Sequence, residues 1–319
     1  FVCDIPQHHS SSVGIQMLKL LFFTLLLTPS LSMISLNTIK ATGKSQNSSK
    51  VLTILVHGLD SSSKTWETTM PHLDGPSVAV DQRGSGYSPL GNPDNFSQSA
   101  LVEDLHKVIT DNVNADDEKV VLIGHSLGGR VVTGYAATYP DKIAALVIED
   151  MDIAERTPDA NGLVQLKPYD GVFDRQRSSK ESLIQALNDV GYPDSFVERG
   201  LSNGRIEQNA KAPQSSTWWS HVNPDFRKLC YPHVLSTSQG KADCRTLASL
   251  FKEKKINFPV HVLVAGEEGT VCIEDSIQEM KEILGDQLTV HRYPDAGHSI
   301  HSTEPVKYQE TINAIINKC

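Results

Sequence analysis

The amino-acid sequence predicts an α/β fold built on a mostly parallel sheet, and three observations carry that expectation. Short runs such as VLTILV (51–56), VVLIG (120–124) and PVHVLVA (259–265) are apolar at nearly every position, which suits strands covered on both faces. Segments with apolar residues at helical spacing stand between such runs. The two patterns alternate along the chain, as a parallel sheet with crossover helices requires.

Residues 34–41 suggest a first strand, 43–50 a polar turn, and 51–56 a buried second strand followed directly by His57-Gly58-Leu59-Asp60. After a polar stretch with Trp66, residues 77–80 give a short strand ending in Asp81-Gln82-Arg83-Gly84-Ser85-Gly86-Tyr87-Ser88. Residues 97–113 place Leu101, Leu105, Val108 and Ile109 on one helical face. The run from Val120 then enters Gly124-His125-Ser126-Leu127-Gly128-Gly129, the pattern of a strand broken sharply into a helix with a serine lifted clear of the sheet. Side chains at 124 and 128 would collide in such a turn, so glycine is needed there. A helix over 127–139 and a strand over 143–148 follow.

At Met151 the alternation stops. Up to Asn257 the text is polar and broken by Pro and Gly, with helical pieces such as Ser178-Ser179-Lys180-Glu181, a capping box, leading into Leu183, Ile184, Leu187 and Val190. These features predict a helical cap over 153–257, inserted into a core made of 33–152 and 258–319. The β/α pattern resumes with a strand at 259–265, a helix at 274–284, a strand at 287–293, the loop Pro294-Asp295-Ala296-Gly297-His298 and a closing helix over 303–316.

With 319 residues, 39% of them hydrophobic, the chain can bury one large core. A formal charge of −9 offers no basic surface for nucleic acid, and no CxxC or HExxH occurs, so neither a nucleic-acid partner nor a metal or other cofactor is expected. Residues 1–32 read as a leader: a polar stretch, then Met17 as the better start, Lys19, the apolar run LLFFTLLL and small residues up to Ser32. That run is too short for a membrane span, which needs about 20 residues. It suggests a secretory signal and hence a secreted or lumenal protein. The alternative is an organellar presequence, mitochondrial or plastid, since no acidic residue falls between Asp4 and Asp60. Sequons at Asn47 and Asn95 are compatible with secretion, and in that case Cys230 and Cys244 are a candidate disulfide.

Four motifs in fixed order resemble the α/β-hydrolase superfamily: His57-Gly58-Leu59-Asp60; Asp81-x-Arg83-Gly84-x-Gly86-x-Ser88; Gly124-His125-Ser126-Leu127-Gly128-Gly129; and Asp295-x-Gly297-His298-x-x-His301-x-x-Glu304-Pro305. The resemblance covers the chain from Met33 except the cap, and within the superfamily it is similar to the small YbfF-type esterases. It implies a serine hydrolase that cleaves small to medium carboxylic esters or thioesters, without cofactor. Ser126 then serves as nucleophile and His298 as base, with an oxyanion hole made by the backbone N–H groups of Leu59 and Leu127. Epoxide hydrolases and haloalkane dehalogenases carry Asp at the elbow, so Ser126 argues against those reactions.

The acid departs from the commonest family pattern. Where G-x-x-D is usual after the strand at 259–265, this chain has Gly266-Glu267-Glu268-Gly269. Candidates are Asp150, Glu268, and Glu274 or Asp275; Asp150 is preferred because it stands at a strand's carboxyl edge and matches the acid-bearing segment of the YbfF-type esterases. Its neighbour Glu149 should face the other way. Trp218 and Trp219 either line an acyl pocket or seat the cap on the core. His57 reads as structural, Asp81 and Arg83 as loop braces, and His301 as a residue behind the site or on the surface. A ligand receptor that keeps the fold with little turnover is the alternative function, although a receptor needs neither Ser126 nor His298.

Overall fold

The computed structural model describes residues 34–44, 51–113, 118–157, 165–212 and 215–319. The expected leader, the start at Met17 and the sequon at Asn47 lie outside the described residues. Among the described residues ten strands follow in chain order: β1 (Thr38–Ala41), β2 (Leu52–Val56), β3 (Ser77–Val80), β4 (Val120–His125), β5 (Ile143–Glu149), β6 (Gln176–Arg177), β7 (Ile206–Gln208), β8 (Trp218–Ser220), β9 (Val260–Val264) and β10 (Leu288–Arg292).

Seven of them form the central sheet in the order β1-β3-β2-β4-β5-β9-β10, with β1 antiparallel and the other pairings parallel. Alternation along each strand sends neighbouring side chains to opposite faces, so an apolar run feeds two cores. On one face Ile54, Val80, Leu122, Leu146 and Val262 meet Leu105, Val132 and Ile277 from the helices Gln98–Asn112, Leu127–Thr138 and Glu274–Leu284. On the other, Leu55, Val121, Val147 and Leu263 meet Trp66, Tyr308 and Ile312. The closing helix, expected over 303–316, is Pro305–Ile316, and a separate short helix, Ile300–Thr303, precedes it, because proline cannot continue that first segment.

The insertion, expected as a helical cap, carries a small sheet beside its helices. Its helices Lys180–Asp189, Asp194–Ser202 and Pro224–Cys230 are joined by a small antiparallel sheet, β6-β8-β7, whose strands of two or three residues are too short to show a period of two. The N-cap of the first helix is Ser179, one residue later than the expected capping box, and its hydroxyl accepts from Ser182 N at 3.1 Å. The helix Gln239–Lys252, expected inside the cap, instead packs on the helix Leu127–Thr138 and places Cys244 and Leu247 in the main core. Cys230 and Cys244 are both buried free thiols, so the candidate disulfide is not formed. Burial pushes both thiols up, that of Cys244 to about 12.

The junction of β4 with its helix is the tightest point of the core. A Cβ on Gly124 would run into the carbonyl of Gly128, and one on Gly128 into the Val56 carbonyl on the neighbouring strand. Both obstacles are backbone, which cannot rotate aside. Gly128→Ala is therefore expected to cost about 3 kcal/mol, the upper range of overpacking, and to lower the melting temperature by about 6–12 °C. A thermal melt shifted by less than about 2 °C would contradict the close approach.

Candidate active site

Ser126 stands at the end of β4 in left-handed backbone, φ 52° and ψ −124°, a conformation that costs a non-glycine residue and is held by its neighbours. Its N–H donates to the Glu149 carbonyl at 2.9 Å, and its own carbonyl accepts from Gly129 N at 2.7 Å. Leu127 opens the helix, where N–H groups lack an acceptor within the helix. Across the turn, a Cβ on Gly58 would lie 2.9 Å from both His125 Nδ1 and Ser126 Cβ, so the bare backbone at 58 brings Leu59 to the elbow. The Leu59 N–H has no hydrogen-bond acceptor among the described residues.

His298 arrives on the loop after β10, and its Nδ1 bonds to Asp150 Oδ2 at 2.6 Å. Asp150 directly follows β5, with φ 45° and its N–H bonded to the Leu263 carbonyl at 2.7 Å. Its carboxylate also accepts from Ala265 N at 3.0 Å, Thr270 Oγ1 at 2.6 Å and Val271 N at 3.0 Å. Burial alone would raise this carboxyl, but the bonds from His298, Thr270 and Ala265 outweigh burial and hold it below the usual carboxylate range. The other acid candidates are elsewhere. Glu268 is exposed, Asp275 is exposed at the start of its helix, and Glu274 pairs with Arg292 at 2.7 Å. A Cβ at Gly269 would lie 2.6 Å from Gly297 Cα, so the loop carrying His298 fills the space that an aspartate there would need.

Thr270 and His125 escape the sequence reading. Thr270 is marked by nothing but its place one residue after the usual acid. His125 Nε2 donates to the His298 carbonyl at 3.0 Å and so ties the histidine loop to the residue before Ser126. Burial pulls the His125 imidazole down to about 3, which leaves it neutral at physiological pH. His57 is structural, as expected: its ring joins the Gly58 carbonyl at 2.7 Å to Gln82 N at 3.1 Å. Asp81 braces the loops through Ser63 N at 2.7 Å, Asn37 Nδ2 at 2.7 Å and Tyr87 N at 2.9 Å, while Arg83 is bonded to Asp104 at 2.6 Å.

The two tryptophans make different contacts, Trp219 with the core and Trp218 within the cap. Trp219 donates from Nε1 to the Gly86 carbonyl at 3.1 Å, stacks on Tyr87 at 5.5 Å and lies under the Arg175 guanidinium. Trp218 packs against the cap's own apolar cluster and takes Lys180 over its ring. Three further cap residues converge on Asp60, immediately after Leu59. Tyr192 donates to its carboxylate at 2.8 Å, Arg227 forms an ion pair with it, and Arg205 donates to its carbonyl at 3.0 Å.

Comparison with known proteins extends the match to most of the chain. Residues 53–305 match the family described as alpha/beta hydrolase fold. Lipase LipV of Mycobacterium tuberculosis is 31% identical over 186 residues, which cover 56% of this chain and 68% of the lipase. Protein phosphatase methylesterase 1 of Candida albicans is 28% identical over 200 residues, 57% of this chain and 53% of that protein. Among solved structures, a marine microorganism esterase superposes with a TM-score of 0.61 at 21% identity, covering 88% of this chain and 99% of the esterase.

The two buried carboxylates at the end of β5 set a pH dependence. Glu149 is also held below the usual range, since His301 and His125 outweigh the upward push of burial. A folded value below the unfolded one contributes stability above the unfolded values of about 4 and loses it as pH falls through the folded value. Melting temperature should therefore drop steeply below about pH 4, and Asp150→Asn should make that acid limb shallower. An unchanged limb in the variant would show that Asp150 is not held in its charged form.

Proposed function

Because the chain belongs to the α/β-hydrolase family, we propose that it cleaves small to medium carboxylic esters or thioesters through Ser126, His298 and Asp150. The observation that carries this reading is the 2.6 Å bond from His298 Nδ1 to a carboxylate that has three further donors. With Nδ1 committed to Asp150, the basic lone pair of the imidazole is on Nε2. That nitrogen takes the Ser126 hydroxyl proton as Oγ attacks the carbonyl carbon, and the carbonyl π pair moves onto oxygen. The N–H groups of Leu59 and Leu127 receive the oxyanion. Collapse expels the alcohol or thiol, which leaves with the proton from His298. Water then attacks the acyl-enzyme, gives its proton to Nε2, and releases the acid and free Ser126 as that proton returns to Oγ.

The names of the lipase and methylesterase relatives support ester cleavage, and both matches leave part of the relative uncovered. The cap, seated at Asp60 beside Leu59, supports a small or medium substrate over a bulk lipid surface. A receptor on the same fold has no use for an acid held ionised against its histidine. The signal-like run at 17–32 supports delivery into the secretory route. In a secreting host the mature protein should begin near residue 33, and a first residue well beyond Ala41 would rule that route out.

Ser126→Ala is expected to abolish turnover of p-nitrophenyl esters while leaving the melting temperature within a few degrees, and a fluorophosphonate should label wild type at Ser126 alone. Asp150→Asn should lower kcat by about 10⁴-fold. Labelling at another residue, or an active Ser126→Ala protein, would overturn the assignment.

A further inference from the structure

Behind the proposed reacting groups lies a second carboxylate–imidazole pair that the mechanism does not use. Glu149 ends β5 one residue before Asp150 and faces the opposite side of the sheet, where its side chain and that of His301 are wholly buried. Oε1 of Glu149 accepts both the backbone N–H of His301 at 2.9 Å and the ring Nδ1–H at 2.8 Å. The other ring nitrogen lies 2.8 Å from Thr65 Oγ1, and the ring rests against Trp66 with centroids 4.3 Å apart.

The same glutamate touches the elbow, because its backbone carbonyl accepts the Ser126 N–H at 2.9 Å. One residue thus bonds to both the nucleophile's backbone and the loop that presents the base. The imidazole of His298 is 33% exposed and hangs from a short loop, so its aim depends on how the loop's ends are held. The His298 carbonyl is held by His125 at 3.0 Å, and the far end is held by Glu149.

We propose that Glu149 and His301 are positioning residues for the reaction, anchoring the end of the His298 loop at the short helix Ile300–Thr303 so that the His298 imidazole is held in place for Ser126. This rests on the serine-hydrolase reading above. Neither residue touches substrate. Their effect is geometric, and a displacement of about 1 Å in a reacting group can cost about 10²-fold in rate.

The test uses the full chain and two readouts, steady-state hydrolysis of p-nitrophenyl butyrate and the downfield proton resonance of the His298 Nδ1–H, assigned by its absence in His298→Gln. Stripping one partner from a buried pair can prevent folding, so the decisive variant is the double change Glu149→Leu with His301→Leu, which leaves no lone charge. It should keep KM within about threefold, lose kcat by about 10²-fold and broaden the His298 resonance. Glu149→Gln, which keeps an acceptor for both His301 donors, should retain the resonance and lose at most about tenfold in kcat. A folded double variant with wild-type kcat and an intact resonance would reduce the pair to a contributor to stability and overturn the proposal. Fluorophosphonate labelling separates the two failures: wild type labelled at Ser126 with unaffected variants sinks this inference alone. An unlabelled wild type without turnover sinks the serine mechanism, and the positioning role falls with it.

Discussion

The helix that starts at Leu127 lies directly against the end of β2, with only hydrogen atoms on Gly128 separating it from the Val56 carbonyl. That zero clearance forces the turn at Ser126 into left-handed backbone and brings its N–H onto the Glu149 carbonyl. It also sets the first turn of the helix close to the segment that carries Gly58 and Leu59. The strain at Ser126 is held by a core buried on both faces of the sheet.

Two acidic residues in succession at the end of β5 would ordinarily be an expensive choice in a buried place. Alternation separates them, Glu149 to one side and Asp150 to the other, and each meets an imidazole. Asp150 has four donors, which is why the short dipeptide can hold two charges in the core without neutralising. The cap uses the same economy of means. Its polar contacts gather on Asp60 and on the loop at Gly84–Ser88, so it is held at the rim of the elbow.

The core was legible because its strands are apolar at almost every position and its helices carry their own caps, as Ser97 does for the helix Gln98–Asn112. The elbow was legible because steric exclusion leaves glycine little choice at 124 and 128. The cap was less so: β6, β7 and β8 are held by partners far away in sequence, and nothing local distinguishes them from loop. The helix Gln239–Lys252 falls within the expected cap span of 153–257, where polar text surrounds it, while its few buried residues, Cys244 and Leu247 among them, point to the main core. Asp150 could be preferred over Glu268 on its place at a strand end, yet the reason that position 269 is closed needs the loop at Gly297 in three dimensions. His125, Thr65 and Thr270 stand outside that reading for the same cause, since their partners are set by the sheet order and not by spacing, whereas His301 lies behind the site as its motif suggests, with a partner, Glu149, that only the fold reveals.

The crowding at Gly269 also bears on how such a site can change over time. The histidine loop has settled onto the ground beside β9, and Gly269 has room for nothing larger than hydrogen. A single substitution that restored an aspartate there would displace the loop before it could offer a useful charge. A side chain at 269 and the loop in its present place are mutually exclusive, so a larger residue there requires at least a paired change at 269 and in the loop. The packing thus works as a latch: neither the residue at 269 nor the loop at Gly297 can be enlarged without moving the other.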